Sequence, residues 1–342
     1  MSAPQAFAPT SATAAYVGER FGLADTALTA EPTARGLCGR IWELAAVGTR
    51  YALKELFWDD DQDEQETRGR VRFETAARAA GVGCPQSLPT VDGDYLCRLP
   101  PELGNVYVRL YSWIDGRPLT PADHATEHAA DWLGDSLARL HRLRLRDAGA
   151  GAPDSRFERV PAADQWQELL DALRAQRVEW ADGLERLMPA VGELSELVVP
   201  LDRDALIMCH LDLTPANVMR ERTGGFVLVD WDNAGPGSAD HELAAALMTW
   251  HAPDDRARTD RVAATAAAYA RAGGPGRVGD LSCFSGYLCA VLNNLYTQAS
   301  VAIAADAYEE HRELARAKVR QVMANLPSRS VLEQVALSAE NR

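Results

Sequence analysis

Hydrophobic and polar residues change their period along this chain at about residue 120. Before that point, apolar residues in short segments alternate every second position; after it they recur every third or fourth. Residues 40–44 and 50–58 read as two strands, with Val47-Gly48-Thr49 as the hairpin turn between them. A helix over 71–80 follows and stops at Gly81-Val82-Gly83, a C-cap signal. Two more strands are expected at 94–99 and 106–113, closed by Asp115-Gly116-Arg117-Pro118. The first 14 residues are small and polar and predict a loose tail, with a short helix over 15–29.

Beyond Pro121 the pattern is helical at 122–146, 162–187, 239–251, 256–273, 279–304 and 306–325. One interlude interrupts it. Residues 205–209 and 226–229 are apolar runs, and Thr223-Gly224-Gly225 makes a turn before the second. The expected class is α+β and bilobal: a flexible tail over 1–14, a β-rich lobe over 15–115, and a larger, mainly helical lobe over 116–342, with a cleft between the lobes.

Composition constrains function more than fold. With 342 residues, 47% hydrophobic and 25% charged, the chain can bury a large core and is not mainly disordered. A net charge of −14 argues against a nucleic-acid-binding surface. The N-terminus lacks a basic segment followed by a sustained apolar run. The most apolar stretch, 287–305, is interrupted by Asn293, Asn294 and Gln298. A cytoplasmic protein without a membrane span is therefore expected. Six scattered cysteines have no metal-like spacing. The lysine count is more telling: of 35 basic residues, only Lys54 and Lys318 are lysine. Codon bias in a GC-rich genome accounts for the arginines, yet a compact ammonium does work that a planar guanidinium does not.

The candidate chemistry lies in the interlude. Cys209-His210-Leu211-Asp212-Leu213-Thr214-Pro215-Ala216-Asn217 is followed by a second apolar run that ends at Asp230-Trp231-Asp232-Asn233. One strand delivers His210 and Asp212 into a loop stiffened by Pro215, and the hairpin returns to a second carboxylate. Two carboxylates and an amide oxygen on one hairpin suit phosphoryl transfer. A free carboxylate accepts the acceptor's hydroxyl hydrogen bond, while the others hold Mg²⁺ against phosphates.

These residues resemble the protein-kinase-like superfamily, and more narrowly its aminoglycoside phosphotransferase and choline kinase branch. That branch pairs HxDxxxxN with a downstream Asp-Trp. The resemblance covers roughly 33–325 and is strongest over 205–244. It implies Asp212 as catalytic base, Asn217 and Asp230 as Mg²⁺ ligands, and His210 as a brace. It further implies that Lys54 contacts ATP phosphates and pairs with a helix glutamate, Glu74 or alternatively Glu66. Gly36 and Gly39 would cover the phosphates, although only two glycines stand where protein kinases carry three. Backbone groups near Ser112 to Ile114 would meet the adenine. Leu211 departs from the branch, which often has Gly or Arg there, and Glu242 stands for a common Asp.

Thr214 occupies the position, two residues after the catalytic Asp, where Ser/Thr protein kinases carry lysine, and no long activation segment follows Asp230. A small hydroxylated acceptor is therefore expected. Its contacts would come from Asp232-Asn233, Trp250-His251, Asp254-Asp255, Asn293, Asn294 and Tyr296. An acidic substrate lobe suits a cationic acceptor such as an aminoglycoside-like antibiotic. A metabolic kinase for choline, ethanolamine, homoserine or a sugar is the alternative. An inactive nucleotide-binding regulator is the third reading, against which the intact Lys54, Asp212, Asn217 and Asp230 argue.

Overall fold

A computed structural model describes residues 7, 9–35, 39–57, 64–146, 157–305 and 307–340. Its first helix, α1 (Ser11–Phe21), is capped by Thr10, whose hydroxyl accepts the Thr13 N–H at 3.1 Å. Helix therefore begins inside the segment expected to be loose, and it ends at Gly22 in the left-handed region (φ 66°). The strands that follow are β1 (Thr26–Leu28), β2 (Ala34–Arg35), β3 (Gly39–Ala46) and β4 (Thr49–Leu56). After α2 (Glu64–Ala79) come β5 (Ser87–Leu88), β6 (Cys97–Arg98) and β7 (Tyr107–Ser112). They form one antiparallel sheet in the order β1-β3-β4-β7-β5, with β2 on β3 and β6 on β7. Val47 and Gly48 both have positive φ (44° and 76°), as the tight turn between β3 and β4 requires.

Register assigns each face of this sheet a task. Trp42 lies opposite Leu53, and Leu53 opposite Leu110. With Leu44 and Val108 they bury one face against Val17 and Phe21 of α1. Side chains one residue along point the other way. Lys54 and Arg109 are thus direct cross-strand partners, both buried on the opposite face. Two cations placed opposite each other repel unless acids lie between them.

The second lobe contains β8 (Gly116–Pro118), α3 (Pro121–His124), α4 (Glu127–Arg142), α5 (Ala163–Ala175), α6 (Ala181–Ser195) and β9 (Ile207–Cys209). It continues through β10 (Val218–Glu221), β11 (Phe226–Leu228), β12 (Gly235–Gly237), α7 (Ala239–His251) and α8 (Thr259–Arg271). It closes with α9 (Ser285–Ile303), α10 (Glu309–Ala324) and α11 (Arg329–Glu340). The helix expected over 162–187 is two helices, because Arg177 takes φ 54° between them. β8 pairs with β10 and β10 with β11; β12 pairs with β9. α2, though reached from the first sheet, buries Phe73 and Ala77 in the core of the helical lobe, and Val82 just beyond it joins them. Its exit turn is pinned there too, by Leu228 N–H donating to the Gly83 carbonyl at 2.8 Å. No helix among the described residues is long and apolar enough to cross a membrane.

Behind this core, His251 is fully buried and its Nε2 meets the Thr265 hydroxyl at 2.8 Å. That hydroxyl donates to the Ala130 carbonyl, so it accepts from His251, and Nδ1 is left buried without a partner. Burial first, then the positive Arg258, lower the His251 pKa to about 4. The unfolded histidine titrates near its ordinary value, so the unfolded chain takes up the proton first as pH falls. Stability should be full above about pH 6.5 and decline by roughly 3 kcal/mol towards pH 4. Thermal unfolding of His251→Gln and the parent chain across that window checks this: the variant's pH slope should be shallower.

Candidate active site

The loop carrying the candidate catalytic motif is held from below. His210 at the end of β9 is fully buried and packs edge-on against Trp231 at 4.8 Å. Burial lowers its pKa, so it braces the loop as a neutral ring. Leu211 takes φ 61°, a left-handed conformation that costs about 1 kcal/mol for a residue with a Cβ. It is retained because its N–H donates to Glu242 Oε1 at 2.6 Å. Glu242 Oε2 in turn meets His141 Nε2 at 2.7 Å, and His141 Nδ1 meets the Tyr269 hydroxyl at 2.7 Å. The start of α7 is capped by Ser238, which accepts the His241 N–H, and not by Glu242. The longer carboxylate reaches the loop that carries Asp212. His141, Cys209 and Glu242 bring ligand atoms within 4.8 Å of one another, but both nitrogens of His141 already have partners, so the cluster is a brace. Trp250 Nε1 donates to the Leu213 carbonyl at 2.9 Å from the other side.

On this support Asp212 is half-buried. Burial first, and then the negative charge of Asp230, raise its pKa to about 6, while the Asn217 and Asn233 amides pull it part of the way back. Asn233 Nδ2 donates to Asp212 Oδ2 at 3.2 Å, and Asn217 Nδ2 donates to the Asp212 carbonyl at 2.9 Å. Asn217 thereby keeps its amide oxygen as an acceptor. Asp230 is itself in the left-handed region (φ 62°), two residues after β11, and its side chain is half exposed. Asp212, Asn217, Asp230 and Asp232 together offer hard oxygen donors and no sulfur or imidazole. That donor set fits Mg²⁺.

Across the cleft, Lys54 Nζ lies 2.6 Å from Asp230 Oδ1 and 2.6 Å from Asp232 Oδ2. Burial works against its charge, but Asp232 and Asp230 outweigh burial and raise its pKa above the ordinary lysine value. Arg109 Nη1 holds the other oxygen of Asp232 at 2.9 Å. Burial pushes the Asp232 carboxyl up, and Lys54 and Arg109 more than offset this, leaving it below the usual range. The repulsion between the two sheet cations is thus settled by an aspartate from the opposite lobe.

The ion pair expected between Lys54 and Glu74 is not formed. Glu74 accepts from the Ser87 N–H and the Ser87 hydroxyl, both at 2.7 Å, and Arg109 Nη2 reaches that hydroxyl at 3.3 Å. Glu74 on α2 is therefore connected to Lys54 only in steps, through Ser87, Arg109 and Asp232. Burial raises its pKa, against the Ser87 hydrogen bonds and Arg109. The alternative, Glu66, pairs with Arg70 on its own helix at 3.2 Å. Arg109 and Ser87 were not singled out in the sequence. The available signal was an arginine set inside an otherwise apolar strand.

The remaining expectations divide. Gly36 lies outside the described residues. Gly39 starts β3 where a Cβ would stand 2.1 Å from the Glu55 carbonyl oxygen, so close strand approach alone demands glycine there. Ser112 has its N–H donated to the Gln86 carbonyl, and its hydroxyl accepts the Gln86 N–H. The adenine-edge expectation then rests on Trp113 and Ile114. Among the acceptor-site candidates, Trp250 and His251 are buried braces, and Asp255 receives the Ser328 N–H and hydroxyl beside α11. Asn293 donates to the Arg159 carbonyl, and Tyr296 packs on Trp166. Asp232 stands beside Lys54 and Asn233 beside Asp212, and both are already engaged there.

Comparison with known proteins agrees with this geometry. The model of the phosphotransferase enzyme family matches residues 42–279. No curated protein sequence matches the chain. Among solved structures, a spectinomycin phosphotransferase in complex with ADP and spectinomycin is 12% identical with a TM-score of 0.65, covering 96% of this chain and 98% of that one. An amicoumacin kinase in complex with AMP-PNP, Ca²⁺ and Ami is 13% identical with a TM-score of 0.59, covering 92% and 93%. A choline kinase from Cryptosporidium parvum Iowa II is 12% identical with a TM-score of 0.52, covering 91% of each chain. At these identities the likeness establishes the bilobal kinase-like fold.

Proposed function

We propose, since the chain belongs to the phosphotransferase enzyme family, that it transfers the γ-phosphate of ATP to a hydroxyl of a small antibiotic. The observation carrying this reading is the assembly across the cleft: Lys54 of β4 on Asp230, with Asp212 and Asn217 on the same hairpin as Asp230. Lys54 would release its two aspartates to hold the nucleotide's α- and β-phosphates. Asn217 and Asp230, with Asp232 beside them, would hold Mg²⁺, which when bound neutralises phosphate charge. Asp212 would accept the hydrogen bond, and then the proton, of the attacking hydroxyl. Its raised pKa keeps it a competent base near neutral pH without making it a permanently solvated anion. Its neighbour Asn233 fixes the carboxylate's orientation.

The antibiotic reading takes its support from structural likeness to the spectinomycin phosphotransferase and the amicoumacin kinase, and from the net charge of −14, which draws acceptors carrying amino groups. The test is mass spectrometry of MgATP reactions against aminocyclitol, aminoglycoside and peptide-like antibiotics, with amino alcohols and sugars as the second panel. A singly phosphorylated antibiotic is the expected product. Phosphorylation confined to the second panel would replace the antibiotic with a metabolic acceptor, and no product from either would overturn the phosphotransferase reading.

A further inference from the structure

Lys54 and Arg109, opposite each other on β4 and β7, divide the Asp232 carboxylate between them. Lys54 Nζ lies 2.6 Å from Oδ2, and Arg109 Nη1 lies 2.9 Å from Oδ1. What else holds the two cations is different. Lys54 has a second partner, Asp230, whose side chain is half exposed at the cleft. Arg109 is only 3% exposed, and its guanidinium stacks over the Tyr111 ring at 5.0 Å. Its Nη2 donates to the Ser87 hydroxyl at 3.3 Å, and that hydroxyl spends its one proton on Glu74 at 2.7 Å. Nε of Arg109 is buried with no partner, a loss that only the contacts at the two ends of the fork offset.

These differences decide which cation is free to leave. On the reading above, the nucleotide's phosphates draw Lys54 away from Asp232. Oδ2 of Asp232 then loses its partner, while Oδ1 keeps Arg109. A carboxylate pinned by one oxygen presents the other in a fixed direction, which suits Mg²⁺ because that ion tolerates little departure from its geometry. Groups that hold a ligand from behind set metal affinity nearly as strongly as the ligand itself. Glu74 stands at the far end of the same line. Both its oxygens are occupied by Ser87, so its charge reaches the site through the residue that fixes Arg109.

We infer, on the phosphotransferase reading above, that Arg109 is a positioning residue for the metal. It pins Oδ1 of Asp232 so that Oδ2 is left for a divalent cation once Lys54 turns to the nucleotide, and Glu74 serves the site by holding Arg109 rather than Lys54. Arg109 touches neither nucleotide nor acceptor, and no bond or proton changes hands in its role. A lysine at this position keeps the charge but not the planar fork that spans Asp232 and Ser87. A neutral side chain leaves Asp232 free to turn.

The test reads binding rather than turnover. ADP affinity of the full chain is measured in EDTA and across a Mg²⁺ titration, with thermal unfolding beside it. The variants are Arg109→Met, Arg109→Lys, Asp232→Asn and the double variant of Arg109→Met with Asp232→Asn. Arg109→Met should raise the Mg²⁺ concentration at half-effect by about 10- to 100-fold, with a much smaller change of affinity in EDTA. Asp232→Asn should shift the Mg²⁺ midpoint similarly, and the double variant should shift it no further, because the two residues act as one. Arg109→Lys should fall between parent and Arg109→Met. A role in packing the sheet alone would weaken ADP binding equally with and without the metal. An unchanged Mg²⁺ midpoint in Arg109→Met overturns the assignment, as does a double variant in which the two shifts multiply. Should Arg109→Met fail to fold, an unchanged midpoint in Arg109→Lys overturns it instead. A parent chain that binds ADP neither with nor without Mg²⁺ would sink the phosphotransferase reading, and the role of Arg109 with it.

Discussion

Asp212→Asn is expected to abolish phosphoryl transfer and, at the same time, to make the protein more stable at pH 7. The two effects share one cause. Burial and the charge of Asp230 raise the Asp212 pKa to about 6, so the folded state disfavours the ionised form that the unfolded chain adopts freely. A carboxyl with a raised folded pKa costs stability as pH rises from its unfolded value through its folded one. At neutral pH the full cost applies, roughly 1–3 kcal/mol, and an uncharged amide of the same shape avoids it. The amide cannot take the acceptor's proton, and loss of a positioned base costs typically 10²- to 10⁴-fold. Thermal unfolding should therefore show a higher Tm for Asp212→Asn at pH 7, with the gap closing towards pH 4. MgATP affinity should be nearly unchanged. In the parent enzyme, kcat/KM should rise with pH through about 6 as the base loses its proton. An Asp212→Asn protein that turns over at near-parental rates would remove Asp212 from the chemistry.

Lys54 carries the second large expectation. Lys54→Met leaves Asp232 with Arg109 alone and Asp230 with no cation at 2.6 Å. Loss of a phosphate-aimed cation should cost at least about 100-fold in transfer, and loss of a buried ion-pair partner should lower Tm as well. Lys54→Arg separates these effects. An arginine still satisfies the two aspartates, so Tm should stay near the parental value. Its planar fork is larger than an ammonium, and Lys54 Cε already lies 3.7 Å from where a Cβ at Gly39 would be. Transfer should therefore fall steeply while folding persists. Full activity in Lys54→Arg would reduce this lysine to a structural counter-ion. Fluorescent-nucleotide titration beside product formation distinguishes lost binding from lost chemistry.

Much of this site was legible from linear patterns, for definite reasons. The strand pair around Val47-Gly48, the change of period near residue 120 and the catalytic hairpin are local, and local periodicity reports which side of an element will be buried. Asp212, Asn217, Asp230 and Lys54 could be picked out because chemistry restricts both their types and their spacing. Where the reading failed, side chains competed for partners at long range. Nothing local to α2 reveals that Glu74 is taken by Ser87, or that Lys54 turns to Asp232, 178 positions away in number but 2.6 Å in space. Trp250 and His251 look like binding residues by type and are braces by position.

The sequence by itself thus determined the two-lobed plan, which residue types the Asp212–Asp230 hairpin presents, and the singular standing of two lysines among 35 cations. Only the tertiary structure decided the pairing. It set Lys54 between two aspartates of the opposite lobe and made Arg109 and Ser87 the intermediaries between Asp232 and Glu74. The reason is physical: residue type determines what a group can bond, whereas burial and proximity determine which of several equal partners it reaches.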